Sequence, residues 1–269
     1  MMPCPEPARV GWAVRLVALA CLVMPAAASA ATDDADGGLP AVRAGAAIRA
    51  AETSLGLGAT AGLFWGGGRT FASSGGQVRA GRLGPAPGVR HLYTAMIYDV
   101  FGGGPDPAGG SSLVDRVEVR LGAGFDPGRT GVSGRTTLMP FIAGGYEGWS
   151  GPAGAGVYHA ALAGGGIKLD LAVSEGLVVS ASAEGLAVLG GRLTPAAAGN
   201  ATGFGVSGEA DVRLGTNLRL DGNWRAFAGL ELRYRQRPRV GGRVGAPAWL
   251  MPASTTEFRS VVGLAYGFR

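Results

Sequence analysis

Large apolar side chains alternate with small or charged ones along the end of the chain. In residues 258–268 the even-numbered positions are mostly large and apolar, whereas the odd-numbered ones are small or charged. A period of two predicts a β-strand with one face in an apolar environment. At about 3.3 Å per residue and a tilt of about 40°, its ten steps span roughly 25 Å, the height of the apolar band of a transmembrane β-barrel. The segment therefore predicts a membrane-spanning strand.

The same alternation recurs upstream. In residues 223–236, Trp224 and Tyr234 are ten positions apart and share the apolar face, which repeats the spacing of the final strand. Seven further segments are predicted as strands: residues 55–65, 90–101, 113–125, 136–147, 157–173, 177–189 and 204–215. Three consecutive glycines at positions 164–166 are predicted to mark a β-bulge, because an unpaired extra residue favours glycine.

The connections between these segments predict an orientation and a strand count. Residues 174–176 and 216–221 are short and turn-like, as periplasmic turns are, whereas residues 190–203 and 237–255 are long, as extracellular loops are. Bacterial barrels have an even number of strands, so nine segments imply one more or one fewer. We predict ten strands, with residues 42–51 as the tenth, and eight as the alternative. This count leaves residues 66–88 as a long periplasmic connection.

The first thirty residues have the features of an export signal. Arg9 and Arg15 precede the apolar run 16–24, and the small residues Ala28 and Ala30 form the small-x-small pattern before a predicted cleavage site near Ala30. We therefore predict a signal peptide at 1–30, a short segment at 31–40 and the barrel at 41–269. Cys4 and Cys21 both fall in the leader, so the mature chain is predicted to lack disulfides.

Composition excludes several other classes. The fifty glycines argue against a helical fold, because each interior glycine costs a helix up to about 1 kcal/mol relative to alanine. Removing the leader takes away two arginines and one glutamate and leaves 22 basic and 18 acidic side chains. This small, dispersed excess does not indicate a nucleic-acid-binding protein.

With these segments the chain resembles the small outer-membrane β-barrel proteins of Gram-negative bacteria, the group that includes OmpA-like and opacity-type barrels. The resemblance lies in the leader, in residues 138–146 (LMPFIAGGY) and in residues 263–268 (GLAYGF). Arg269 follows the aromatic residue on which such barrels usually end. The resemblance implies an outer-membrane location and recognition of the last strand by the barrel insertion machinery.

The strand phases place charged side chains on the face opposite the apolar one, which is the lumen of a barrel. The predicted lumen charges are Arg116, Glu118, Arg120, Lys168, Asp170, Glu184, Glu209, Asp211, Arg213, Arg225, Glu231, Arg233, Arg235, Glu257 and Arg259. A barrel of eight to ten strands is nearly filled by side chains, so this balanced set predicts a plug of ion pairs. A narrow channel lined by arginine is the alternative.

On the opposite face, aromatic residues are predicted to mark the membrane interfaces. They are Trp224, Tyr234, Phe258, Tyr266 and Phe268. In the last long loop, Arg237, Arg239 and Arg243 are predicted either to contact lipopolysaccharide phosphates or to lie in solvent, since arginine binds phosphate in a bidentate manner.

Catalytic and metal sites are not indicated. His91 and His159 are the two histidines, and neither has a serine two positions later, the spacing that places both side chains on one strand face. We predict that the protein is not an enzyme and binds no cofactor or metal.

The predicted fold class is all-β, a single closed, up-and-down antiparallel transmembrane β-barrel. The predicted role is structural or surface-interacting within outer-membrane lipid and lipopolysaccharide, with a narrow diffusion channel second and a lipid-modifying barrel enzyme third. A soluble secreted β-sandwich is the alternative of another class.

Overall fold

Antiparallel strands make up nearly all of the described chain. The computed structural model describes residues 52–66, 68–86, 89–103, 112–125, 136–152, 155–174, 176–195, 202–203, 205–236 and 254–268. The strands are β1 (Glu52–Gly66), β2 (Arg69–Ala86), β3 (Val89–Gly103), β4 (Ser112–Gly124), β5 (Thr136–Ser150), β6 (Gly156–Ala172), β7 (Leu177–Pro195), β8 (Thr202–Gly203), β9 (Ser207–Arg219), β10 (Trp224–Gln236) and β11 (Ser254–Phe268).

The ten long strands close into an up-and-down barrel, and the two-residue β8 only extends the edge of β7. Each long strand pairs with its neighbours in sequence, and β1 pairs with β11 to complete the ring. Following paired residues once around the barrel from Leu189 returns to Leu177 on the same strand, twelve residues away. This stagger corresponds to strands tilted by about 40°. The predicted fold class and the count of ten are confirmed.

The tenth strand is β2, which the sequence analysis assigned to a periplasmic connection. That assignment of residues 66–88 is wrong, as is the alternative of eight strands. The outward positions Ala72, Ser74 and Gly76 are small, so this strand lacks the apolar stripe that marks the others. The segment 42–51, predicted as the tenth strand, lies outside the described residues, as does the predicted leader.

The predicted bulge is also misplaced. Pairing runs without a shift through Gly164, Gly165 and Gly166, and the register of β6 and β7 shifts instead near His159. Opposite this shift Gly190 has a φ of 57°, a left-handed conformation that glycine adopts without strain. A Cβ on Gly164 would lie 2.1 Å from the carbonyl oxygen of Gly185, so the triplet allows a close approach of two strand backbones.

The two ends of the barrel differ in their connections. We call the end with residues 173–176 and 220–223 the turn end, and the end with residues 196–206 and 237–253 the loop end. β1 starts and β11 finishes at the turn end. Among the described residues, no helix is long and apolar enough to cross a membrane.

Candidate functional site

The distribution of polarity is the reverse of that in a water-soluble protein. Charged side chains are buried in the lumen, and large apolar side chains are exposed on the outside. Arg116, Glu118, Asp211 and Arg259 are each at most 2% exposed, whereas Leu57 is 66% exposed. β4 and β9 to β11 carry most of the inward charged residues. The charged groups therefore face one another across the lumen, and the apolar groups face outward.

Arg116 occupies the middle of this ion-pair network. Its guanidinium lies 2.6 Å from a carboxylate oxygen of Glu209, 3.2 Å from one of Glu118 and 3.4 Å from one of Glu147. On the same strand, Arg120 lies 2.6 Å from Glu118 and 2.7 Å from Glu184. Two arginines of one strand thus bind carboxylates from β4, β5, β7 and β9.

A second group of arginines links the opposite wall. Arg213 lies 2.8 Å from Asp211 and 3.0 Å from Glu184, and Arg233 lies 3.3 Å from both Asp211 and Glu257. Most of these carboxylates are shared between two or more guanidinium groups, so the ion pairs form one continuous network rather than separate bridges.

The network spans the lumen. Arg259 on β11 lies 3.1 Å from Asp99 on β3, and Arg235 on β10 binds Glu147 on β5, although these strands are not neighbours. Cross-lumen pairs of this kind block the lumen, and removing one partner leaves a buried charge unpaired.

The structure brings most of the predicted lumen charges together. Twelve of them belong to the network: Arg116, Glu118, Arg120, Glu184, Glu209, Asp211, Arg213, Glu231, Arg233, Arg235, Glu257 and Arg259. Lys168 and Asp170 form a separate pair at 2.7 Å nearer the turn end. Arg225, close to the turn between β9 and β10, lines a cavity at that end.

Several inward polar residues were not predicted. Asp99 and Glu147 belong to the network, Gln77 donates a hydrogen bond to Asp99 at 2.6 Å, and Arg79 donates to Gln77. The alternation in residues 90–101 does not decide which face of β3 points inward, and β2 lacks the apolar pattern of a strand. Nine predicted strands is an odd number, and this indicated that one strand was missing. That strand is β2, which carries Gln77 and Arg79.

An aromatic layer closes the lumen on the loop side of the network. Phe64 and Phe101 stack with their ring centroids 5.8 Å apart, and Trp149 packs edge-on against Phe101 at 6.4 Å. Tyr158 is 1% exposed beside them. The Nε1 of Trp149 donates to Glu147, which joins this layer to the ion pairs. The lumen is therefore filled by aromatic side chains as well as by charge.

On the turn side the lumen is hollow. A cavity of about 210 Å³ is lined by residues that include Arg79, Lys168 and Arg259. A second cavity of about 160 Å³ shares Tyr93 and Lys168 with it and continues to Arg225. We call the two together the turn-side cavity, defined by Arg79, Tyr93, Lys168, Ser180, Asn217, Arg225 and Arg259.

Aromatic rings hold the cations of this cavity. The guanidinium of Arg79 lies 4.8 Å from the ring centroid of Phe227, an arrangement that favours the cation electrostatically. Three glycines make room for that ring, because a Cβ on Gly56 or Gly58 would lie 3.0 Å from it and one on Gly263 only 2.4 Å. Lys168 lies 5.2 Å above Tyr93, and Arg259 lies 5.5 Å above Phe101.

The outward face carries the apolar belt. Trp224 and Phe268 lie at the turn end and Tyr234 and Phe258 toward the loop end, and they are 40–50% exposed. Tyr266 is partly buried between Trp224 and Phe268, at ring distances of 5.3 and 5.2 Å. Between these aromatic groups the exposed large residues are aliphatic, so the outward face of β10 and β11 carries an apolar belt about 25 Å high.

A polar cluster lies on the outward face toward the loop end. The hydroxyl of Tyr146 hydrogen-bonds Nδ1 of His159, and their rings lie 5.7 Å apart. This arrangement places His159 beside a tyrosine near the end of its strand. His91 lies near the start of β3, where it pairs with Gly124 of β4.

Within the described ranges, no group of three or more histidine, cysteine, aspartate or glutamate side chains is placed to hold a metal ion. Arg237, Arg239 and Arg243 lie outside the described residues.

Comparisons with known proteins find similar solved structures but no matching family model and no matching curated sequence. The solved structures similar to it include the translocator domain of the autotransporter NalP from Neisseria meningitidis, with a TM-score of 0.46, 12% identity, and coverage of 96% of this chain and 98% of that one.

Two further similar structures are an outer-membrane protease and a surface protein. The outer membrane protease OmpT from Escherichia coli matches with a TM-score of 0.40 and 10% identity, over 81% of this chain and 96% of that one. Neisserial surface protein A matches with a TM-score of 0.37 and 11% identity, over 80% and 97%. The OmpA-like and opacity-type group is not confirmed by these similarities, and we draw no conclusion on function from them.

Proposed function

We propose that the chain is an integral outer-membrane β-barrel with a structural or surface-interaction role and a lumen closed by ion pairs and aromatic side chains. The observation that carries this proposal is the inverted distribution of polarity, with charges inside and exposed leucines and valines outside. A soluble protein rarely exposes an apolar surface of this extent, whereas a barrel wall in lipid requires one.

The remaining features support the same proposal. The predicted leader directs the chain to the envelope, where aromatic residues at the two ends of the belt suit the two membrane interfaces. We propose outer-membrane lipid and lipopolysaccharide as the surrounding partners, with Arg237, Arg239 and Arg243 as phosphate contacts. We also propose that the barrel insertion machinery recognises β11.

Heat-dependent migration on a gel tests the membrane-barrel proposal. Unboiled protein folded in detergent is expected to migrate differently from boiled protein, because a closed ring of backbone hydrogen bonds resists unfolding by detergent. The protein is also expected to require detergent for extraction from membranes. Protein that is released without detergent and migrates identically before and after boiling would contradict the proposal.

Conductance in a planar lipid bilayer tests the closed lumen. Purified protein is expected to give no discrete current steps at moderate voltage, because Arg116, Arg233 and Trp149 fill the cross-section between the turn-side cavity and the loop end. Reproducible steps that scale with protein concentration would contradict closure and favour the narrow diffusion channel. An empty-detergent preparation is the control.

A further inference from the structure

The lining of the turn-side cavity includes cations, Arg79 and Lys168 among them, that do not belong to the ion-pair network. The larger part of the cavity is lined by Arg79, Arg120, Lys168, Arg213 and Arg259, with Glu231 as the carboxylate on its wall. Glu231 already accepts hydrogen bonds from both Arg233 and Arg259. Of the charged side chains on this wall, five are therefore cations and one is a carboxylate.

Arg259 has one nitrogen whose hydrogen-bond donors are unused among the described residues. Its side chain is 2% exposed, its Nη2 lies near Asp99 and Glu231, and its Nε also lies near Glu231. Its Nη1 is buried and has no hydrogen-bond partner among the described residues. A buried guanidinium donor without a partner costs free energy, and a change of side-chain conformation that turns it toward an acceptor in the cavity would remove that cost.

Arg79 is the second cation of the cavity with hydrogen-bond donors available to a ligand. It donates from Nε to Gln77, and within the described part of the chain no carboxylate is in ion-pair contact with it. Its position over Phe227, whose ring is confined by Gly56, Gly58 and Gly263, holds the guanidinium in place. On the opposite wall the hydroxyl of Ser180 is buried and has no partner in the described residues.

We propose that the turn-side cavity binds a small oxyanion of the phosphate class, held by Arg79 and Arg259 with Ser180 as a further donor. Planar guanidinium groups bind the oxygens of such anions in pairs, and Arg79 is held by an aromatic ring before any ligand arrives. The volume of about 210 Å³ accommodates roughly seven water molecules, which is ample for one oxyanion. The site does not depend on whether the lumen conducts.

Isothermal titration calorimetry tests the site. Inorganic phosphate is titrated into the full chain in detergent at low ionic strength. Saturable binding is expected for the unmodified protein, and Arg79→Gln is expected to weaken it at least tenfold. Ser182→Met, which fills part of the cavity without changing charge, is expected to weaken it similarly, since Ser182 lines the same wall. Sulfate is expected to compete, and glycerol is expected not to bind.

The matched control is Arg219→Gln, because Arg219 is an exposed arginine at the turn end that does not line the cavity. Its phosphate affinity is expected to stay within twofold of the unmodified protein. Each variant is first checked for heat-dependent migration, and if Arg79→Gln does not fold, the Ser182→Met result decides. Absence of saturable binding to the unmodified protein, or equal loss in Arg79→Gln and Arg219→Gln, would overturn the proposal.

Discussion

Replacing Arg116 by methionine is expected to lower the free energy of unfolding by about 3–5 kcal/mol, the cost of breaking a buried ion pair from one side. The guanidinium lies within 3.4 Å of carboxylates from three residues, Glu118, Glu147 and Glu209, and all four side chains are at most 3% exposed. Without it these carboxylates lose a shared counter-ion in a region that water reaches poorly. Urea titration of the barrel in phospholipid vesicles, followed by tryptophan fluorescence, measures the effect.

Two controls make this test specific to the network. Arg219→Met removes an exposed arginine and is expected to change the free energy of unfolding by at most about 0.5 kcal/mol. The double variant Arg116→Met with Glu209→Met removes both members of the 2.6 Å pair, so it is expected to cost less than the sum of the single changes. Strict additivity, or an Arg116 effect as small as that of Arg219, would show that the network is not energetically coupled.

Placing arginine at Leu230 is expected to destabilise the membrane-embedded barrel by about 2–4 kcal/mol, the cost of a cation on the lipid face near the bilayer centre. Leu230 is 47% exposed and lies between Trp224 and Tyr234 on the outward face of β10. Arginine there has to reach an interface with its charge or draw water into the bilayer. The fraction of chains that insert and fold into vesicles, and the urea midpoint of those that do, measure the change.

The same substitution at Tyr234 is the matched control. Tyr234 is on the same strand and face, but it lies at the aromatic border of the belt, so Tyr234→Arg is expected to cost only about 0–1 kcal/mol. If Leu230→Arg and Tyr234→Arg were equally tolerated, the outward face would not be in contact with lipid. The comparison therefore tests the depth of the belt as well as its presence.

The strands that could be predicted from sequence are those with an unmixed apolar face. β10 and β11 alternate large apolar residues with small or charged ones, so their inward residues follow from a period of two, although β11 begins at Ser254, four residues before the predicted start. β2 could not be recognised because Ala72, Ser74 and Gly76 occupy its outward positions. Small residues at the lipid face satisfy the geometry of a strand without producing the pattern by which a strand is detected.

Partners within the lumen could not be predicted. Alternation tells which side chains point inward, but whether Arg259 meets Asp99 depends on the twelve-residue stagger of the closed barrel, which depends on all ten registers together. The aromatic layer was missed for a related reason. Trp149 and Tyr158 belong to glycine-rich strands, where a large inward side chain is accommodated by missing Cβ atoms nearby, as at Gly191, whose Cβ would lie 2.4 Å from the Tyr158 hydroxyl oxygen.

The seam between β1 and β11 has a consequence for biogenesis. It joins Thr53 to Phe268, so the ring can be completed only after β11 has been synthesised, and the residues that pair at this seam are far apart in sequence. Folding with such a high contact order is slow, and until the seam forms the two terminal strands expose unpaired backbone edges prone to aggregation. The chain therefore depends on being kept unfolded and soluble in transit, and loss of β11 would leave nine strands that cannot close.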